Sequence, residues 1–149
     1  MSNQTLKINK DTFIKALLVV ITLHIFYSQN LFSEEEESYL LSGPLAGSFY
    51  HTKEKPGRWS KLAGSHLSSY KIKNNILEIS TGHEMKGYDH YIIKHMILDK
   101  RFNLISEKLF DPSREIPVSK HNIIGYTERL YVLSICNKHD IWLDVIKLK

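Results

Sequence analysis

The stretch Tyr70-Lys71-Ile72-Lys73-Asn74-Asn75-Ile76-Leu77-Glu78-Ile79 decides the class of fold. Two runs of mixed apolar and polar residues flank a pair of asparagines, which tolerate the positive φ that a tight hairpin turn needs. Working outward, Tyr91 to Leu98, Asn103 to Phe110, Glu128 to Ile135 and Ile141 to Leu148 are rich in β-branched and aromatic residues. Asp, Asn, Pro or Gly separates each from the next, as strand boundaries require. With a further stretch around Asn122 to Tyr126, the pattern predicts an all-β chain of about seven short strands in an antiparallel β-sandwich. Helix is not expected after residue 33.

Upstream the texture changes. Lys7, Lys10 and Lys15 precede the apolar run Ala16 to Tyr27, and the polar Ser28-Gln29-Asn30 follows it. This is the order of an export signal. The run is shorter than the roughly 18 to 20 residues of a membrane span, and no Ala-x-Ala site follows. Residues 1–33 are therefore read as a signal peptide or an N-terminal membrane anchor, a buried core helix being the blander reading. Residues 34–47, with four glutamates and Gly43-Pro44, are read as a linker, and residues 48–149 as the sandwich domain.

The bulk composition bounds the function. A chain of 149 residues that is 42% hydrophobic supports one domain with its own core. Its single cysteine excludes an internal disulfide framework. The net charge is +4, and the part beyond the leader and the glutamate run carries +6. A positive domain of this kind draws small anions to an exposed site. No Arg-rich run or Gly-aromatic pattern supports nucleic-acid binding.

The cysteine falls in Cys136-Asn137-Lys138-His139-Asp140-Ile141-Trp142, in a chain with eight histidines. A thiolate and an imidazole three residues apart can close on one ion, so an iron or other transition-metal site is the first expectation. His83 lies in a loop-like segment, His90 opens a strand, and Cys136 and His139 flank the turn between two later strands. Loops at one end of a sandwich bring such positions together. His51, His95 and His121 are read as packed or surface residues, Trp59 as an anchor for the start of the domain, and Trp142 and Tyr91 as packing around the site.

Three pieces, Gly82-His83-Glu84-Met85, His90-Tyr91-Ile92 and Cys136-Asn137-Lys138-His139 running on to Trp142, together resemble the iron domain of the superoxide reductases, the neelaredoxin and desulfoferrodoxin family. Upstream, Gly64-Ser65-His66-Leu67 lies where that family places its first histidine ligand. The resemblance spans about residues 58 to 148 and implies an Ig-like sandwich. It implies one iron per chain, held by the imidazoles of His66, His83, His90 and His139 in a plane, with the Cys136 thiolate on the axis. The position opposite sulfur is left open, and superoxide is reduced there to hydrogen peroxide. Implied partners are superoxide and an electron donor such as a small redox protein. A membrane tether through the N-terminus and a homo-oligomer are compatible with it. With the leader, the expected place is the periplasm, free or membrane-anchored.

The chain departs from the family pattern at three points. The Glu-Lys pair that usually precedes the first histidine is Gly64-Ser65, leaving Lys61 or Lys86 to substitute. The spacing from His83 to His90 is one residue longer than usual, and the glycine after the last histidine is Asp140. The four-cysteine second centre of some members is absent. Two other functions fit the same residues: a non-catalytic iron or electron-transfer protein, and a metal-free sandwich binding module.

Overall fold

The structure is a computed structural model and describes residues 9–148; the side chains of residues 29–33 are not described. Lys7, part of the expected basic start, lies outside the described residues. The chain forms two compact units, one ending at Ser38 and the other running from Tyr39.

The described part of the first unit is helical from Lys10 on. Helix α1 spans Lys10–Ser42, its last turn belonging to the second unit. Within it, Lys10–Ser28 is a 19-residue stretch long and apolar enough to cross a membrane, with none of it buried. The apolar run counted from Ala16 falls short only because it omits Phe13 and Ile14, exposed on the same helix. The helix also continues through Glu34 to Ser42, where a linker without helix is expected. Glutamate is a good helix former, so a charge run between two helix-compatible segments extends the helix. Gly43 ends it: its N–H donates to Tyr39 O at 2.7 Å, and a Cβ there would collide with that carbonyl.

The second unit is the sandwich. After a 3-10 turn at Gly57–Leu62 and one turn of helix, α2 (Ala63–His66), come β1 (Ser68–Lys73), β2 (Ile76–Thr81), β3 (Ile92–Leu98), β4 (Leu104–Leu109), β5 (Val118–Asn122), β6 (Leu130–Cys136) and β7 (Asp140–Ile146). They form two antiparallel sheets, ordered β1-β2-β5 and β4-β3-β6-β7. The fold is the expected Ig-like arrangement. The quoted stretch is its first hairpin, with Asn74 and Asn75 at φ of 51° and 60° and Lys73 opposite Ile76.

Leu77, Ile79, Ile97, Ile123, Leu130, Val132 and Ile146 fill the space between the sheets. A smaller cluster of Ile92, Phe110 and Cys136, with Met85 against it, closes one end. One strand is displaced from its expected place. The apolar pair Ile123-Ile124 drew the fifth strand toward residues 122–126, but β5 ends at Asn122 and Ile124 is exposed. The inward residues of β5 are Ser119 and His121, whose polarity hides the strand from a hydrophobic pattern.

Those residues belong to a polar network inside the sandwich. His95 contacts Ser119 Oγ at 2.7 Å through Nδ1 and Thr81 Oγ1 at 2.9 Å through Nε2. His121 reaches Ser119 Oγ at 2.8 Å and Ser106 Oγ at 2.9 Å. Burial, reinforced by His121 nearby, pushes His95 down to about 4; burial lowers His121 too. In the unfolded chain both bind protons near the ordinary 6.5, so unfolding takes up protons once pH falls below that value. The sandwich should therefore lose stability as pH drops from about 6.5 toward 4, then level off with respect to His95. Denaturation midpoints across that window check this, and His95→Gln should flatten the dependence.

Candidate metal centre

Five side chains meet where the sheets end. His66 closes α2, His83 follows β2 across Gly82, His90 follows the 3-10 turn Gly87–Asp89, Cys136 ends β6 and His139 sits in the turn into β7. Antiparallel pairing puts Ile92 opposite Cys136 and Cys136 opposite Asp140, so three of these positions share one end by register alone. One donor atom from each residue lies within 4.8 Å of every other.

The four nitrogens have a definite order. His66 Nε2 lies 3.0 Å from His139 Nδ1, His139 Nδ1 lies 3.0 Å from His90 Nε2, and His90 Nε2 lies 3.0 Å from His83 Nε2. The rings close the circuit. Neighbouring rings stand nearly perpendicular, at 82°, 79°, 88° and 85°, with centroids 4.4 to 4.9 Å apart. The opposed rings of His66 and His90 lie 6.4 Å apart and 28° from parallel. That is a four-sided arrangement of nitrogens. A square with such edges has its centre about 2.1 Å from each corner, the length of an imidazole–metal bond. Cys136 Sγ is 3.8 Å from His83 Nε2 and 3.7 Å from His139 Nδ1, the ends of one diagonal. A sulfur so placed within the plane would overlap another nitrogen, so it stands off the plane on one side.

Local structure explains each member. His139 follows Cys136 by three residues, and that short turn presents the nearer nitrogen, Nδ1, where the others present Nε2. His66 Nδ1 lies 3.0 Å from Leu62 O one helical turn back, which fixes that nitrogen as N–H and leaves Nε2 its lone pair. Between His83 and His90 the chain turns at Gly87, with φ of 56°, and Lys86 N donates to His90 O at 2.9 Å. Asn137 ties the two loops together. Its Oδ1 accepts from Tyr91 N at 2.9 Å, and its Nδ2 donates to Asp89 O at 3.1 Å and Tyr88 O at 3.3 Å.

Asp140 occupies a left-handed position, φ 63°, which explains why glycine suits it. Its carboxylate is not one of the five donors. Hydrogen bonds from Trp59, Arg58 and His51 hold it down at about 2. His51, His95 and His121 stand outside the cluster, as expected, but all three are fully buried and none is a surface residue. Trp59 does more than anchor the domain start: its ring packs edge-on against His139 at 4.6 Å.

The electrostatics suit a cation. Burial pushes His66 down to about 4 and also lowers His83, His90 and His139, so all four rings are neutral with lone pairs free near pH 7. Burial raises the Cys136 thiol, while the N–H groups of Lys138 and His139 pull the other way. Lys138 N donates to Sγ at 3.5 Å. A thiol still protonated at neutral pH must give up its proton when a metal binds. Metal loading of the apo chain should thus release about one proton per chain near neutral pH, measured in weak buffer with a pH indicator, and Cys136→Ala should release none. His66, His83 and Cys136 are buried while His90 and His139 are partly exposed, so solvent reaches the centre from the His90–His139 side.

An antiparallel sandwich with a four-histidine, one-cysteine cluster at its end defines a metal-binding β-sandwich. Solved structures share this fold. A variant of the superoxide reductase (neelaredoxin) from Ignicoccus hospitalis superimposes with a TM-score of 0.60 at 19% identity, over 69% of this chain and 95% of that one. The superoxide reductase (neelaredoxin) from the same organism gives 0.56 at 19% identity, over 69% and 96%. A variant of the superoxide reductase (neelaredoxin) from Archaeoglobus fulgidus in the reduced form gives 0.50 at 15%, over 62% and 94%. No family model matches the chain, and no curated protein matches it significantly. The fold is therefore that of the superoxide reductases.

Proposed function

We propose that the chain is a superoxide reductase of the one-iron type, with His66, His83, His90, His139 and Cys136 as the iron ligands. The observation that carries this reading is the convergence of five donor atoms within 4.8 Å, four of them around a ring. It also tells against the metal-free binding module, for which such convergence has no use. The donor set fits iron: four neutral imidazoles with one soft thiolate suit a redox-active first-row ion better than a hard cation.

Iron bound there supplies the single electron that, with two protons, converts superoxide to hydrogen peroxide. The chain's own residues set the conditions. Four uncharged rings leave the thiolate as the only anionic donor, so a divalent ion keeps a net positive charge that attracts superoxide. The Lys138 N–H beside Sγ moderates how much electron density sulfur gives. Gly64 and Ser65 carry no charge where the family has Glu-Lys. Lys86, paired with Glu84 at 3.1 Å, and Lys138 both act electrostatically on His90 at the solvent-facing side. These two lysines are cations placed to draw in the anion.

The apolar stretch Lys10–Ser28 supports a reading in which residues 1–33 are a signal or anchor, residues 48–149 are the iron domain, and the protein is exported to the periplasm, free or tethered. This reading calls for an electron donor, such as a small redox protein, and is compatible with a homo-oligomer. The test is pulse-radiolysis kinetics of the reduced, iron-loaded chain with superoxide. Fast second-order consumption with peroxide as product supports the proposal. A thiolate-to-iron(III) band in the visible without superoxide consumption assigns the chain to electron transfer, the reading favoured by the missing Glu-Lys pair. No band and no bound iron rejects the metal site.

A further inference from the structure

Beyond the five donors, the side chains of Asp140, Arg58, Trp59 and His51 form a second constellation whose purpose the ligand set does not explain. A single carboxylate oxygen, Asp140 Oδ2, accepts from Trp59 Nε1 at 2.8 Å, from Arg58 Nη2 at 2.5 Å and from His51 Nε2 at 3.2 Å. Asp140 is the neighbour of His139, and its left-handed backbone keeps it in the same tight turn. The Arg58 guanidinium also lies over the Trp59 ring, 5.0 Å from its centroid. The Trp59 ring in turn meets the His139 ring edge-on at 4.6 Å and 71°.

The segment carrying Arg58 and Trp59 buries none of its own residues, and its backbone leaves helical geometry at Trp59. Trp59 itself is half-buried, so packing restrains it in part, and the carboxylate adds a directed hold on its indole N–H. His51 supplies the other end of the tie. It is fully buried, packs 5.4 Å from Trp142, and exchanges backbone hydrogen bonds with β7: His51 N donates to Ile141 O and Leu143 N to His51 O, both at 2.8 Å. The carboxylate thus links β7, through His51, to a half-buried tryptophan.

We propose that Asp140 is a positioning residue, holding Trp59 against His139 and so fixing the plane of that imidazole at the metal centre. The inference rests on the iron-site reading above. The ring of a ligating histidine must be held from outside the metal, and losing such a partner commonly costs about 10- to 100-fold in metal affinity. Most ligands use a hydrogen bond on the second nitrogen. Here an aromatic edge, latched by a carboxylate, supplies the restraint.

The test uses the full chain in mild detergent, with Asp140→Ala, Asp140→Asn and Trp59→Phe variants. Asp140→Ala should shift the thiolate-to-iron(III) band and speed iron loss to a chelator about tenfold or more. Asp140→Asn keeps an oxygen acceptor for the Trp59 N–H and should return the band toward its original position. Trp59→Phe removes the N–H with little change in packing, and should reproduce the Asp140→Ala band. An unchanged band and unchanged iron loss in both Asp140→Ala and Trp59→Phe would overturn the proposal. Should the unaltered chain show no band at all, the iron reading itself fails. The latch is then decided in the apo chain, where NMR shifts of the His139 ring protons move on Asp140→Ala if Asp140 positions the ring and stay put if it does not.

Discussion

Cys136→Ser should abolish the visible thiolate-to-iron(III) band and lower superoxide reduction by more than the ~100-fold typical of changes one step removed from a metal. Cys136 is the only sulfur donor of the five and the only one that turns anionic on metal binding, and it is set off the plane of the four nitrogens. Serine keeps the size but offers a hard oxygen that stays protonated, so the ion retains four neutral donors and loses its electron-rich one. Because Cys136 is buried against Ile92 and Phe110, the hydroxyl also enters an apolar contact, and some stability is lost with the band. Absorption spectra, iron content and radiolysis kinetics on one sample separate the effects. Full activity with normal iron content would remove the thiolate from the mechanism.

Trp142→Ala should be the most destabilising single change near the site, at about 3–5 kcal/mol. The side chain is only 1% exposed and is the largest fully buried one among the described residues. Its ring lies 5.4 Å from His51 and 5.6 Å from His66, and its Nε1 donates to His139 O at 3.0 Å. Removing it opens a cavity behind His66, one of the four clustered imidazoles, and behind His51, and frees the turn that carries His139. Denaturant midpoints measure the stability, and iron retention should fall in parallel. Trp142→Phe fills most of the cavity and loses only the N–H, for about 0.5–1.5 kcal/mol. Equal costs for the two variants would mean that the hydrogen bond, not the packing, is what matters.

Where the sequence reading failed, the cause is visible in the packing. β5 was misplaced because its buried face is made of Ser119 and His121, which the core accepts since His95 and Ser106 satisfy them. Helix α1 overran the expected linker because glutamates are loop-like by charge but helix-forming by backbone preference. The role of Asp140 was readable only as a departure from a glycine. Its three donors come from residues some eighty positions earlier, and no local pattern links them. Asn137 likewise sits in the motif, yet the loop it ties down is that of His90.

By itself the sequence determined the strand texture, the asparagine hairpin, and four of the five side chains that gather at one end, His66 being reached only through the family resemblance. Alternation and turn chemistry are local, and the ligand types announce themselves by short spacings such as Cys136 to His139. Tertiary structure alone decided the cyclic order His66–His139–His90–His83, the use of Nδ1 by His139, and the seat of Trp59 against it. Those depend on how two sheets and their loops meet in space, a relation between distant residues that a linear pattern does not carry.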